Sequence, residues 1–339
     1  MIPYLFFPLI ILLSASIGII ISPNWAFAPF ILILVIIPLI DFFAPKIDRP
    51  DEKLNNHLAY SLILILVFPS LALLFFAGIW IVPAMDSYIS AGFLGASVGM
   101  ATGSVGLPAA HELIHRKDSS SQKLGVAILI FCFYGHFKIE HIHGHHSKVA
   151  TKADPATARL GENVYIYLFR CIVMSWLSAW ETQKILLKRS GRRFISHKNR
   201  LLIYLVIKSF FFLGVYIFFG FNGLIFLAAH TFIAVVLLEV VEYIQHYGMK
   251  RVATNTGYLE PYNEKHAWNC RHCATNWSTF NLGLHSEHHS QPGKPFPLLS
   301  NKERLMEMPA GYPIMIILAL IPPIWFRVFN PKLRNIGQT

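Results

Sequence analysis

The sequence predicts an all-α integral membrane protein with six transmembrane helices and a histidine-rich metal site at one membrane face. Of its 339 residues, 54% are hydrophobic and only 14% are charged, and the mean hydropathy is +0.49. A soluble domain of this length cannot bury so much apolar surface. The metal site is predicted from histidines that are grouped near the ends of the apolar runs.

Six apolar runs reach the length of about 20 residues that a helix needs to cross the bilayer core. They span residues 3–22, 26–44, 58–81, 88–110, 201–221 and 224–247. No low-complexity tract or second soluble domain interrupts them. We therefore expect one membrane-embedded domain over residues 1–339.

The distribution of lysine and arginine predicts the topology. The short connections 22–25, 82–88 and 220–223 contain neither residue, whereas the opposite connections contain nearly all of them. By the positive-inside rule, we predict a multi-pass protein of the inner membrane with both termini and the metal site on the cytoplasmic side. The formal net charge of +11 has the same topological origin and indicates contact with membrane lipids, not nucleic acid.

Three further segments are not expected to cross the membrane. The apolar run 124–137 is too short. Residues 163–190 mix aromatic and basic side chains, which favours a helix in the headgroup region. The run 312–329 is interrupted by Pro322 and Pro323, which favours an interfacial position over a seventh crossing.

The fourth apolar run has glycines at four-residue spacing, Gly95, Gly99 and Gly103. This spacing leaves one face of the helix without side chains. It favours close packing against a neighbouring helix over a channel.

Fifteen of the sixteen histidines, all but His230, lie in predicted cytoplasmic segments or at the cytoplasmic end of a span. Four groups stand out: His111 and His115; His141, His143, His145 and His146; His246; and His285, His288 and His289. Neutral imidazole is a good ligand for iron, copper, zinc or nickel. The grouping without thiolates or paired carboxylates predicts one or two metal ions in a mostly nitrogen shell.

Two other metal sites are less consistent with the sequence. His111-Glu112-Leu113-Ile114-His115 has the HExxH form of zinc proteases, with Glu112 in the general-base position. A protease needs only one further ligand and would leave the remaining histidine groups without a role. Cys270 and Cys273 form a single CxxC pair, whereas a structural zinc site needs four ligands.

The motifs HELIH, EHIHGHH, HYG and LHSEHH, in this order, resemble those of the membrane alkane monooxygenase family, within the class of histidine-box membrane di-iron hydroxylases and desaturases. The resemblance extends to DPATARLGE at 154–162, AWN at 267–269 and PPIWFRVFNP at 322–331. It covers most of the chain from about residue 38 onward.

The resemblance implies two non-haem iron ions and O2-dependent hydroxylation of an alkane to a 1-alkanol, with electrons from rubredoxin and its reductase. The implied ligands are His111, His115, His141, His145, His146, His246, His285, His288 and His289. His143 falls at a variable position of the family pattern, and His136, His197, His266 and His272 are also left out. A fused rubredoxin would need a second CxxC pair, so the donor is expected to be a separate protein on the basic face.

Departures from the family pattern leave the substrate open. The usual segment reads NYxEHYG, whereas this chain has Glu242 in place of asparagine and Gln245 in place of glutamate. Gly283 and Leu284 replace the usual Gln-Arg before the third box. The alternatives are a xylene-type methyl monooxygenase, then a fatty-acyl desaturase or hydroxylase, then a membrane metal transporter, which would need ionisable residues deep in several spans.

Carboxylates near the boxes are candidates to orient the ligand rings by accepting a hydrogen bond from the distal ring nitrogen. They are Glu112, Glu140, Asp154, Glu239, Glu242 and Glu287. Glu239 and Glu242 precede His246 by seven and four residues on one helix face, in a span where an unpaired carboxylate is costly. We therefore expect at least one of these two to orient a ring.

Overall fold

The computed structural model describes residues 1–47, 57–252, 258–300 and 306–335. These residues are helical or irregular, and they contain only two isolated β-bridges and no strand. The predicted all-α class is therefore confirmed.

The first four long helices form two antiparallel pairs. They are α1 (Ile2–Ile20), α2 (Pro23–Phe43), α3 (His57–Ile81) and α4 (Tyr88–Ile114). The turn into α2 begins at Ser22, whose hydroxyl accepts a hydrogen bond from the Asn24 amide, and Ser87 caps α4 in the same way. Each of these four helices is long and apolar enough to span a bilayer.

Three helices follow α4 before the next long apolar stretch. They are α5 (Ser119–Phe131), α6 (137–148) and α7 (Val164–Arg189). Gly125 brings α5 against the end of α4, since a Cβ there would lie 2.9 Å from the Ala110 carbonyl oxygen. The predicted segments 124–137 and 163–190 thus correspond to α5 and α7, and a headgroup position for α7 remains a prediction.

The helical stretch Arg200–His246 consists of two helices, α8 (200–219) and α9 (221–246). Gly220 between them has a φ of +62° and a ψ of −156°, a conformation that glycine adopts without a side-chain clash. In α8, Tyr204 lies beside Gly135 and Phe219 lies beside Trp80 at the opposite end of the bundle. Because α9 then returns, the described chain has six helices long enough to cross, as predicted.

The glycines of α4 lie directly against α9. A Cβ on Gly95 would come within 3 Å of the Phe226 carbonyl, and one on Gly99 would lie 2.5 Å from the His230 carbonyl oxygen. The prediction of close packing is therefore confirmed.

Four short helices complete the described chain: α10 (Cys273–Ser278), α11 (His285–Ser290), α12 (Tyr312–Ala319) and α13 (Pro322–Asn335). The last two meet at 113°, and neither alone is long enough to cross a bilayer. Trp325 and Phe329 of α13 stack at 4.0 Å, and Trp268 Nε1 donates to the Tyr247 carbonyl. These contacts hold the end of α9, where His246 lies.

Candidate metal centre

The end of α4 presents His111 and His115 four residues apart, on one helix face. Both Nε2 atoms are buried, and neither has a hydrogen-bond partner in the described part of the chain. Two buried, unpartnered nitrogens on one face are costly unless a ligand completes them. The pair can therefore serve as two ligands of a metal ion.

A π-helical turn of α6, His141–His145, carries the second histidine box. In a π-turn the hydrogen bonds reach the fifth residue, so side chains five apart align. His141 and His146 accordingly point together, with their Nε2 atoms 3.1 Å apart. His145 points elsewhere, and its Nε2 lies 3.2 Å from that of His289.

The helix α11 divides its histidines in the same manner. His285 and His289, one α-helical turn apart, have Nε2 atoms separated by 3.1 Å. The end of α9 adds His246, whose Nε2 lies 2.9 Å from that of His285. His288 points to the other side and lies against His111, with ring centroids 4.4 Å apart.

All nine predicted ligands therefore lie in two groups. The five-histidine group contains His111, His115, His141, His146 and His288. The four-histidine group contains His145, His246, His285 and His289. Within each group the candidate ligand atoms lie within 4.8 Å of one another.

The nitrogen spacings fit metal coordination. Ligand nitrogens about 2.1 Å from one ion and at right angles around it are about 3.0 Å apart. The close pairs in the two groups are separated by 2.9 to 3.2 Å. These histidines can hold two metal ions of the kind that imidazole prefers.

Burial keeps most of these rings in the ligand form. It lowers the pKa of His115 to about 3, and it lowers the pKa values of His141, His146, His285, His288 and His289. A neutral imidazole keeps the lone pair that a metal needs. His145 differs: burial alone would lower its pKa, but Asp154 and two glutamates raise it to about 10.

Asp154 is the carboxylate that contacts the distal nitrogen of a predicted ligand. Its Oδ2 lies 2.9 Å from His145 Nδ1, and Thr157 Oγ1 donates to the same oxygen at 2.6 Å. The Ala156 amide donates to Oδ1. Asp154 is thus held in place to accept the Nδ1 proton of His145 and leave Nε2 free for a metal.

Three of the other candidate carboxylates have different partners. Glu112 pairs with Arg116, Glu239 accepts from Tyr134 and Cys171, and Glu287 pairs with Lys294 and accepts from Ser300. That Glu239 or Glu242 orients a ring through its distal nitrogen stays a prediction. Glu242 Oε2 faces the Nε2 side of two rings, those of His145 and His246.

Glu242 and Glu140 each have an oxygen without a hydrogen-bond partner among the described residues. Glu242 Oε2 lies 3.6 Å from His145 Nε2 and 3.9 Å from His246 Nε2. Glu140 Oε1 lies over Gly144, where a Cβ would be 2.6 Å away. The glycine in the second box therefore makes room for a carboxylate.

The histidines left out of the predicted ligand set lie outside both groups. His143 and His197 are exposed, whereas His136 and His272 are buried. His266 accepts from the Asn263 amide, and its Nε2 lies 3.2 Å from Glu260. Its backbone carbonyl lies 3.3 Å from Nδ1 of His246, a predicted ligand. His266 therefore contacts a predicted ligand but does not belong to either histidine group.

The described residues do not support the two alternative metal sites. The Glu112 carboxylate pairs with Arg116 and accepts from the Phe296 amide. Cys270 and Cys273 are buried thiols outside any disulfide, and neither belongs to the histidine groups found in the described residues.

Sequence reasoning missed several residues that shape the site. The Tyr262 ring lies 5.2 Å from the ring of His289, and Asn269 Oδ1 accepts from the Ser286 amide in α11. Asn269 could have been found, because it belongs to the AWN segment of the family pattern. Tyr262 had no comparable signal.

An apolar cavity lies between α1, α2, α4 and α9, beside the histidines. Its walls include Ile11, Ile33, Ile37, Ser104, Leu237 and Val241, and no charged side chain is among its described lining residues. Pro108 lines it one turn before His111, and Leu282 lines it three residues before His285. The cavity lining therefore includes a residue three positions before a histidine of each group.

Comparisons with known proteins place the chain in a family. Residues 87–316 match the model of the fatty acid desaturase family. An alkane 1-monooxygenase of Pseudomonas aeruginosa is 33% identical over 91% of this chain and 83% of its own length. An alkane 1-monooxygenase of Alcanivorax borkumensis is 32% identical over 91% of this chain and 82% of its own length. A xylene/toluene monooxygenase hydroxylase component of Pseudomonas putida is 28% identical over 68% of this chain and 62% of its own length.

Proposed function

The chain belongs to the fatty acid desaturase family and, within it, to the alkane 1-monooxygenases, and on this premise we propose that it converts an alkane to the 1-alkanol with O2 at two non-haem irons. The observation that carries the proposal is the meeting of nine histidines in two groups beside an apolar cavity. The five-histidine group would hold one iron and the four-histidine group the other. Bound iron supplies the redox chemistry that activates O2 for C–H hydroxylation.

The protein contributes ligation and orientation. Asp154 fixes the tautomer of His145, and the buried neutral rings keep their lone pairs directed at the two centres. The contact between His246 Nδ1 and the His266 carbonyl would fix that ring in the same way.

The cavity supports an apolar substrate. Its walls are mostly isoleucine, leucine and valine side chains with a few hydroxyl groups, and no charged residue is in its described lining, which suits an alkyl chain. At its inner end Gln245 Nε2 donates to the Tyr312 hydroxyl at 2.5 Å and to the Leu282 carbonyl at 3.3 Å.

Electrons would come from rubredoxin. Lys117, Lys123 and Lys152 are exposed and follow the first and second histidine boxes closely in sequence. They form part of a basic surface that suits a small acidic redox protein. We assign this surface to the cytoplasmic side of the inner membrane, because the basic connections lie on the same side of the spans.

The test is to express the chain with rubredoxin and rubredoxin reductase, supply labelled O2, and offer octane, hexadecane, p-xylene and a fatty acid in parallel. We expect one labelled oxygen atom in the 1-alkanol. Absence of label from every alcohol, or a new double bond in the fatty acid, would overturn the proposal.

A xylene-type methyl monooxygenase is the second candidate. Gln245 favours it, since glutamine before HYG also occurs in that subfamily, and the Pseudomonas putida component is a relative. Labelled 4-methylbenzyl alcohol in the absence of labelled alkanol would support this candidate instead.

A further inference from the structure

Glu242 is a buried carboxylate without a role in the proposed reaction. It lies on α9, four residues before His246, and only 3% of its surface is exposed. Its Oε2 accepts no hydrogen bond from any described residue. It lies 3.6 Å from His145 Nε2 and 3.9 Å from His246 Nε2, and both histidines belong to the four-histidine group.

We propose that Glu242 is the fifth ligand of the metal ion in the four-histidine group. The inference rests on the proposed function, because it takes that group to hold an iron. It makes the two sites equal in ligand number but different in chemistry. One site has five nitrogens, and the other has four nitrogens and one carboxylate oxygen.

The geometry carries this assignment. Adjacent ligand atoms around one ion are about 3.0 Å apart. Glu242 Oε2 is 3.6 Å and 3.9 Å from two of the four nitrogens, so a small side-chain rotation brings it to ligand distance. His246 and Glu242 lie one turn apart on α9, which is the spacing by which His285 and His289 share the same group on α11.

Energetics point the same way. A buried carboxylate without a hydrogen bond or cation is strongly destabilising. Glu239, one turn earlier on α9, is satisfied by Tyr134 and Cys171, whereas the described residues offer Glu242 Oε2 no donor. The His145 ring, 3.6 Å away, is beyond hydrogen-bond distance, and a divalent cation at the four-histidine centre would give Glu242 a direct partner.

The assignment gives this chain a metal site that differs from the family pattern, which has asparagine at this position. A carboxylate adds a negative charge and a harder oxygen donor, both of which favour the more oxidised ion. The iron beside Glu242 should therefore have the lower reduction potential of the two.

The test uses the full chain in nanodiscs, reconstituted with ⁵⁷Fe²⁺, and compares wild type, Glu242→Gln, Glu242→Asn and Glu239→Gln by Mössbauer spectroscopy and iron analysis. Wild type should give two distinct ferrous doublets of equal area. In both Glu242 variants one doublet should shift, and its iron should be lost to a chelator at least tenfold more readily. The second doublet should stay unchanged and reports that the variant is folded.

Glu239→Gln removes a buried carboxylate from the same helix face without touching the four-histidine group, so its spectrum should match wild type. If Glu242→Gln retains both doublets at wild-type positions and wild-type iron affinity, the assignment is overturned. That outcome leaves the proposed function intact. A wild-type chain that binds no iron would overturn the proposed function as well.

Discussion

The two histidine groups differ in what surrounds them. The five-histidine group draws its rings from α4, α6 and α11, and no ion pair joins a carboxylate to it in the described chain. The four-histidine group draws its rings from α6, α9 and α11, and two carboxylates contact it. Asp154 lies behind the His145 ring, and Glu242 lies beside its metal-facing nitrogen.

The comparison shows that the group with more histidines is not the group with more carboxylates. Among the described residues, no carboxylate is ion-paired to the group with more nitrogens, whereas the group with fewer has carboxylates that can offset the charge of an ion. Negative partners make imidazole a stronger donor and stabilise a bound cation. We therefore expect two inequivalent metal ions in one centre, and the following variants test that inequivalence from the largest expected effect to the smallest.

Removing a ring should have the largest effect, and it should depend on the group. His285→Ala leaves three nitrogens in the four-histidine group, so iron should fall from about two ions per chain toward about one. His115→Ala leaves four nitrogens in the five-histidine group, so this variant should retain part of the iron bound there. Both variants should lose hydroxylation by more than about a hundredfold, since loss of a ligand exceeds the effect of losing an outer partner. Iron analysis and product formation from octane measure these losses.

His143→Ala is the matched control for both, because His143 is an exposed histidine of the second box. It should keep about two irons and wild-type activity. Equal iron loss in His285→Ala and His115→Ala would contradict the comparison of the two groups.

Asp154→Asn should weaken only the four-histidine group. The amide can no longer accept the His145 Nδ1 proton as a charged acceptor, so metal affinity there should fall about 10- to 100-fold. Chelator competition, following one iron per chain, measures this change. Glu181→Gln on the exposed side of α7 is the control and should leave both affinities unchanged. A loss of affinity shared equally by both irons would contradict the assignment of Asp154 to one group.

Gly99→Ala should disturb the spacing between the two histidine groups. The helix α4 supplies His111 to the five-histidine group, and α9 supplies His246 to the four-histidine group. The added Cβ would lie 2.5 Å from the His230 carbonyl oxygen, a backbone atom that cannot move without shifting α9. We expect destabilisation of about 1–3 kcal/mol, seen as a lower midpoint of thermal unfolding in detergent. Gly214→Ala in α8 meets open space and should change the midpoint little.

Gly144→Ala should have the smallest effect of these. Its Cβ would meet Glu140 Oε1 at 2.6 Å, but that atom ends a flexible side chain and can move aside. We expect a loss of about 1 kcal/mol and a small decrease in iron content, because the π-turn supplies rings to both groups. Gly293→Ala, with nothing within 4 Å, is its control. Equal behaviour of the two alanine variants would show that the π-turn tolerates the added methyl group.

The sequence determined the features that depend on local chemistry. Apolar length alone placed the spans within a few residues, and Gly220 falls at the predicted turn between α8 and α9, because crossing a bilayer constrains a contiguous stretch. The glycine spacing on α4 also predicted its contact with α9. The resemblance supplied the nine candidate ligands, all of which lie in the two groups.

Only the tertiary structure decided which ring belongs to which group. His141 and His145 lie four residues apart in one box, but the π-turn pairs His141 with His146 and directs His145 to the other group. The tertiary structure also decided the partner of each carboxylate. Helix packing directs Asp154 to the His145 ring and Glu239 to Tyr134. Side-chain direction depends on helix geometry and neighbours distant in sequence, and spacing along the chain does not encode either.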